Sequence, residues 1–320
     1  MSVDVEDRRR YTAMLLGREA APPPDGASGR VIRGVILDIT SHLACVATQE
    51  GEERFIFDRT TSFWRGREVA STDLRVGDDV VVLCGLSGRW VAERVWAQLA
   101  RVTGVIAARA GDTLEIDVGH GRPNRTVVIP YRASGRMSVR HPALEPGFLF
   151  DAIGTWRDGA VEAVIPATNQ PPYPVSESPR RPPVQSLPDQ VTGMVSWYDP
   201  AQGRATHVNP LVGLAGAAYP ALDRGSDCGF DCDRGESCVA LPRLSLGATF
   251  SLRNDCNGVS AVLPVVDCAS SASRFCDKCA ACPTEESGRI AQLTLLSFIS
   301  LGGHPEAGCF NATMTVGVGP

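Results

Sequence analysis

Two stretches of the chain carry the same order of five short apolar runs, and this internal repeat is the feature that most constrains the fold. The segment Gly34-Val35-Ile36 returns as Gly104-Val105-Ile106, seventy residues later. Within most of the runs apolar and polar residues alternate with period two, which is the pattern of half-buried strands. The runs are 31–36, 43–46, 55–57, 80–83 and 90–95 in the first copy, and 102–106, 114–118, 126–129, 144–150 and 160–165 in the second. The repeat therefore predicts two small β units of the same construction.

Five strands in a unit of this length suit a closed barrel, because a sheet that curls onto itself leaves no open edge. The repeated unit resembles the OB type of small barrel. We predict an all-β fold of two tandem OB-like barrels followed by a cysteine-rich domain. The expected units are a flexible N-terminal tail over 1–29, OB-like barrel 1 over 30–100, OB-like barrel 2 over 101–168, a Pro-rich linker over 169–190 and the cysteine-rich domain over 191–320.

The linker prediction follows from seven prolines between Pro171 and Pro188. Such a stretch cannot sustain helix or sheet hydrogen bonds, so it is expected to behave as a stiff spacer.

Composition excludes several classes of protein. Hydrophobic residues make up 43 % of the chain and charged residues 21 %, which argues against a disordered protein. The net charge of −5 offers no basic excess to attract phosphates, so we expect no nucleic-acid partner. No run reaches the roughly eighteen apolar residues of a membrane-spanning helix, so no membrane span is expected.

Nine of the eleven cysteines lie between Cys228 and Cys309. This density is typical of a disulfide scaffold, which forms in oxidising compartments. The disulfide candidates are Cys228, Cys232, Cys238, Cys256, Cys268, Cys276, Cys279, Cys282 and Cys309. We expect no cofactor; the alternative is tetrahedral zinc held by Cys268, Cys276, Cys279 and Cys282. Cys45 and Cys84 lie among apolar neighbours and are expected as buried thiols or as one inter-strand disulfide.

Because disulfides form in oxidising compartments, the predicted location is extracellular or in the cell envelope. The chain as written shows no recognisable leader, so a cytoplasmic location is the alternative.

The C-terminal unit has five short motifs in one order: Ser196-Trp197-Tyr198, Leu246-Gly247-Ala248-Thr249, Asn257-Gly258, Val265-Val266-Asp267-Cys268 and Leu293-Thr294-Leu295. This order resembles the double-psi β-barrel superfamily of rare lipoprotein A, barwin, loosenins, expansins and some endoglucanases. The resemblance implies a six-stranded barrel with a groove that contacts glycan.

The resemblance implies that Asp267 corresponds to the aspartate that lines the family's groove. It also places Asp199 near the position of the catalytic base in the endoglucanases. The two are the catalytic candidates if the protein is an enzyme. Gln292 occupies the position of the family's second carboxylate, and Leu241 occupies that of its histidine. An amide has no dissociable proton for the leaving oxygen of a glycoside, so the prediction leans against catalysis.

A non-catalytic groove would use aromatic rings to stack on sugars and polar groups to bond hydroxyls. The candidate ligand-binding residues are Trp197, Tyr198, Asn254, Asn257, Asp267 and Gln292. The expected function is an extracellular or envelope binding or structural protein that contacts cell-wall polysaccharide or a protein partner without turnover. The alternatives are a lytic transglycosylase or endoglucanase-like enzyme, and a self-associating subunit of a surface polymer.

Overall fold

The computed structural model describes residues 29–85, 90–119, 122–179, 181, 190–200, 215–223, 237–280 and 288–316. The chain is all-β and folds into three closed barrels, which confirms the predicted fold class. The predicted tail lies outside the described residues except for Gly29. Among the residues that are described, none of the helices has the length and apolar character needed to cross a membrane.

Barrel 1 is formed by the first copy of the repeat. Its strands are β1 (Arg30–Ile39), β2 (Leu43–Thr48), β3 (Gly51–Trp64), β4 (Glu68–Val69), β5 (Asp79–Cys84) and β6 (Val91–Ala97), with a 3₁₀ turn at Ser71–Asp73. Around the barrel the order is β1-β2-β3-β6-β5, and β5 returns to β1. The β3–β6 pair is parallel and the other ring pairs are antiparallel.

Barrel 2 is formed by the second copy. Its strands are β7 (Leu99–Ala110), β8 (Thr113–Asp117), β9 (Arg125–Val128), β10 (Leu149–Arg157) and β11 (Ala160–Pro166). The ring order is β7-β8-β9-β11-β10, and β9–β11 is the parallel pair. The two copies therefore have the same strand order, as the repeat predicted.

The repeated glycine has a physical reason. A Cβ atom at Gly34 would lie 2.2 Å from the carbonyl oxygen of Ala47, and one at Gly104 would lie 2.2 Å from that of Asp117. In both barrels the first strand shifts register just after this close approach, between Ile36 and Asp38 in barrel 1 and between Ile106 and Ala108 in barrel 2, which is the irregularity expected near such a glycine.

One local prediction about the repeat is wrong, and one helix was not predicted. Residues 144–150 were expected as one strand, but β10 begins only at Leu149. A helix, α1 (Tyr131–Arg140), lies between β9 and β10, and the sequence pattern did not indicate it. It packs through Ala133 and Met137, and two buried residues one turn apart make too weak a periodicity to recognise.

Barrel 3 is formed by β12 (Val191–Tyr198), β13 (Ala217–Tyr219), β14 (Thr249–Asn254), β15 (Ser260–Cys268), β16 (Arg289–Thr294) and β17 (Cys309–Val316), with helices α2 (Ser270–Ser273) and α3 (Leu295–Ser300). The ring order is β12-β16-β13-β15-β14-β17. The pairs β12–β16 and β13–β15 are parallel and the remaining pairs are antiparallel.

One apolar cluster joins the three barrels. Trp64, Val81 and Trp96 of barrel 1 and Ile153 and Val164 of barrel 2 belong to the same buried cluster as the interior of barrel 3. The barrels therefore pack as one body. Trp96 is buried in this cluster, whereas Trp90, which precedes β6, is 43 % exposed.

The start of the Pro-rich segment lies against the barrels. Gln170 accepts a hydrogen bond of 2.7 Å from the backbone N–H of Cys276, and Asn169 donates one of 3.1 Å to the carbonyl of Lys278. Pro174 forms a bridge with Phe148, followed by a 3₁₀ turn at Val175–Glu177. The described part of this segment therefore contacts both barrel 2 and barrel 3. The prolines predicted a stiff spacer, which would not make such contacts.

Candidate functional site

Four adjacent strands of barrel 3 place two of the predicted groove residues in one row. Ser196 of β12 pairs with Gln292 of β16, Gln292 with Ala218 of β13, and Ala218 with Asp267 of β15. Ala218 packs with Ala269, Ala272 and Tyr198 in a cluster separate from the main core. We call Ser196, Gln292, Ala218 and Asp267 the strand row; it contains Asp267 and Gln292, two of the six predicted groove residues.

Asp267 at the end of the strand row is paired with an arginine of barrel 2. Arg122 Nη2 lies 3.2 Å from Asp267 Oδ2, and the other carboxylate oxygen accepts a 2.8 Å hydrogen bond from the N–H of Cys268. The Asp267 side chain is 20 % exposed and that of Arg122 is 49 % exposed. Asp267 therefore lies near the surface, with its charge compensated.

Asp199, the second catalytic candidate, is buried at the contact between barrels 1 and 3. Arg33 of β1 forms an ion pair with it, and Arg33 also pairs with Asp79 of β5. The side chains of Arg33 and Asp199 are 6 % and 2 % exposed. Because its carboxylate is engaged and inaccessible, Asp199 is not presented to a substrate.

Tyr198 lies in the electrostatic field of both carboxylates. Burial raises the pKa of its hydroxyl well above the ordinary value, and the negative charge of Asp267 adds to the shift; Arg122 opposes it and Asp199 reinforces it. The phenol therefore stays neutral at physiological pH, so its hydroxyl acts as a hydrogen-bonding group and not as a base.

Three other predicted groove residues have structural roles. Trp197 is fully buried, donates a 2.9 Å hydrogen bond to the carbonyl of Pro305 and lies beneath Arg101, so the prediction that it stacks on a sugar is wrong. The side-chain amides of Asn254 and Asn257 donate to the carbonyl of Leu301 at 2.9 and 3.0 Å. Their oxygens accept the N–H groups of Cys256 and Val259, so both amides stabilise the hairpin.

Gln292 is the remaining member of the predicted groove. It is 6 % exposed, and its Nε2 has no hydrogen-bond partner among the described residues; the same holds for Ser196 Oγ next to it. An unpaired buried donor costs about 1–3 kcal/mol. Gln292 and Ser196 therefore carry buried polar atoms that no described residue satisfies with a hydrogen bond. Neither side chain is an acid that could protonate a leaving group.

Six of the cysteines that the structure describes are disulfide-bonded. Cys238 is bonded to Cys276 and Cys279 to Cys309, while Cys256 and Cys268 are also disulfide-bonded. The disulfides thus use Cys268, Cys276 and Cys279, three members of the alternative zinc set. Cys228, Cys232 and Cys282 lie outside the described residues.

Cys45 and Cys84 are free thiols and do not form the alternative inter-strand disulfide. Burial raises the pKa of Cys84 to about 11, which keeps this thiol protonated.

Sequence reasoning missed a buried charge network between barrels 2 and 3. Asp151 of β10 pairs with Arg101 at 2.7 Å and with Arg289 at 2.6 Å, and Arg289 pairs with Asp277 at 2.8 Å. Arg101 also donates a 2.6 Å hydrogen bond to the carbonyl of Gly308. All four charged side chains are at most 1 % exposed. A charged residue beside an apolar run normally lies at the surface, so no pattern in the sequence indicates that these residues are buried.

Comparison of the chain with models of known protein families and with curated proteins finds no match in either.

The Arg122–Asp267 pair is expected to contribute little to stability. A double-mutant cycle of Arg122→Ala and Asp267→Ala should give a coupling energy below about 1 kcal/mol, because the pair is partly exposed and screened by water. Urea unfolding of the four proteins measures it. A coupling energy above about 2 kcal/mol would contradict the exposed geometry and show that this contact is desolvated in solution.

Proposed function

We propose that this protein is a non-catalytic binding or structural protein of the cell envelope or extracellular space. It contacts cell-wall polysaccharide or a wall-associated protein without turnover. The observation that carries the proposal is the engagement of both candidate carboxylates by arginines of the two N-terminal barrels.

Glycoside hydrolysis requires two carboxyl groups on either side of the scissile bond, one of which delivers a proton to the leaving oxygen. Asp199 is buried against Arg33, and Gln292 supplies an amide where the resemblance implies a second carboxylate. Only Asp267 is then within reach of a ligand, and a single carboxylate supports binding better than hydrolysis. The disulfides support an oxidising compartment.

Exposure of the protein to purified cell walls that retain their attached proteins tests the proposal. We expect the protein to sediment with the walls and to release no soluble fragments, and zymograms on peptidoglycan should show no clearing. The Asp267→Ala variant should behave as the wild type in the zymogram. Asp112→Ala, which removes an exposed carboxylate of barrel 2, is the matched control.

Clearing by the wild type and by Asp112→Ala, but not by Asp267→Ala, would overturn the proposal in favour of a glycan-cleaving enzyme. Failure of the wild type to sediment with the walls would overturn the binding role.

A further inference from the structure

The three barrels meet at a cleft that lies apart from the strand row. Its volume is about 480 Å³, within the roughly 300–1,000 Å³ that is usual for small-ligand sites. Barrel 1 contributes Arg67 and Arg94, helix α1 of barrel 2 contributes Arg132 and Arg136, and barrel 3 contributes Glu306. We call it the junction cleft.

The junction cleft is positively charged although the protein as a whole is acidic. Four arginines line it, against the two carboxylates Glu68 and Glu306. Both carboxylates are engaged by Arg94, whose Nη2 lies 2.5 Å from Glu68 and also pairs with Glu306. A third arginine, Arg132, pairs with Glu162 of β11. Both carboxylates that line the cleft are therefore already paired with an arginine of the protein.

Two guanidinium groups remain for a ligand. Within the part of the chain that the structure describes, the side chains of Arg67 and Arg136 make no hydrogen bond or ion pair. They reach the cleft from different barrels, Arg67 from the turn after β3 and Arg136 from the middle of α1.

The other walls of the cleft are apolar. Trp64, Val164 and Ala133 are buried residues that line it, so they provide a low-dielectric surface behind the arginines. Charges of one sign at the mouth of such a cleft concentrate counter-ions. The planar guanidinium group matches the paired oxygens of carboxylates and phosphates better than it matches any neutral group.

We propose that the junction cleft binds an anionic ligand through phosphate or carboxylate oxygens, with Arg67 and Arg136 as the contacting residues. The site belongs to the assembled barrels, because no single barrel supplies both arginines. It does not depend on the strand row or on the proposed function.

Isothermal titration calorimetry of the full chain at low ionic strength tests the proposal, with pyrophosphate as the phosphate probe and digalacturonate as the carboxylate probe. We expect at least one probe to bind with a dissociation constant below about 1 mM. The Arg67→Glu/Arg136→Glu variant should weaken that binding by about tenfold or more, because two positively charged side chains that contact the anion become negatively charged. The Arg59→Glu/Arg75→Glu variant changes the net charge equally at exposed positions outside the cleft and should bind within about twofold of wild type.

The two probes separate a phosphate ligand from a carboxylate ligand. Absence of binding by both probes would overturn the proposal. Equal weakening by the two double variants would also overturn it, because the attraction would then come from overall charge and not from the cleft. If Arg67→Glu/Arg136→Glu fails to fold, the milder Arg67→Gln/Arg136→Gln variant provides the same comparison, with circular dichroism as the check on folding.

Discussion

Replacement of Arg289 by methionine is expected to lower the free energy of unfolding by about 3–5 kcal/mol. Arg289 pairs with Asp151 and Asp277 and lies over the ring of Phe275, with its guanidinium carbon 3.9 Å from the ring centroid. The substitution leaves two carboxylates in a buried region with one guanidinium fewer, which is far more costly than loss of an exposed ion pair. Urea unfolding followed by tryptophan fluorescence measures the change.

The control for this experiment is Arg253→Met. Arg253 is 59 % exposed and pairs with Asp255, so its loss should cost less than about 1 kcal/mol. Equal decreases in the free energy of unfolding for the two variants would contradict the burial of the Arg289 network.

The same network predicts a dependence of stability on pH. Burial by itself would raise the pKa of Asp151, but the charges of Arg101 and Arg289 outweigh burial and hold the pKa below the ordinary value of 3.8. A carboxyl group with a lowered pKa contributes stability that is present above its unfolded-state pKa and is lost as the pH falls further. The unfolding free energy of the wild type should therefore decrease below about pH 4, and that of Arg289→Met should decrease with a shallower slope.

Removal of the Cys279–Cys309 disulfide is expected to lower the free energy of unfolding by about 3–4 kcal/mol. The disulfide connects residues 30 apart, joining the loop after α2 to β17. Without it the unfolded chain gains the conformational freedom of that loop, while the folded state loses a connection at Cys279, which is only 3 % exposed. The Cys279→Ala/Cys309→Ala variant and guanidinium unfolding provide the measurement.

Cys45→Ala is the matched control, because Cys45 is a free and partly buried thiol; it should change stability by less than about 1 kcal/mol. Alkylation of the denatured, unreduced wild type, followed by mass spectrometry, should leave Cys279 and Cys309 unlabelled. Labelling of Cys279 and Cys309 in the denatured protein, together with zinc bound to the native protein, would contradict the disulfide and favour the metal alternative, in which Cys279 is a ligand and Cys309 is a free thiol.

The fold could be predicted from the sequence where local pattern determines structure. The repeat around Gly34 and Gly104 indicates two like barrels, because both glycines meet the same steric requirement at a close approach of strands. Strand alternation located most of the barrel strands within a few residues. Helix α1 was missed because Ala133 and Met137 alone carry its buried face.

The candidate site was harder to predict because its chemistry depends on pairs of residues that are distant in sequence. Arg33 and Asp199 are 166 positions apart, and Arg122 and Asp267 are 145 apart. Neither periodicity nor motif spacing relates the members of such a pair. Trp197 shows the same difficulty, since a tryptophan beside a tyrosine and an aspartate suits a groove as well as a core.

The ion pairs between barrels have a consequence for how the chain can diverge. A substitution at Arg33 would remove a buried counter-charge from Asp199 in a different barrel, and a substitution at Arg289 would leave Asp151 with one fewer of its two arginine partners. These positions are expected to covary, each change being tolerated only when its counterpart changes as well. The gene segments that encode the three barrels would then be inherited together, and recombination that exchanged one barrel for a foreign one would fail unless the opposing charges came with it.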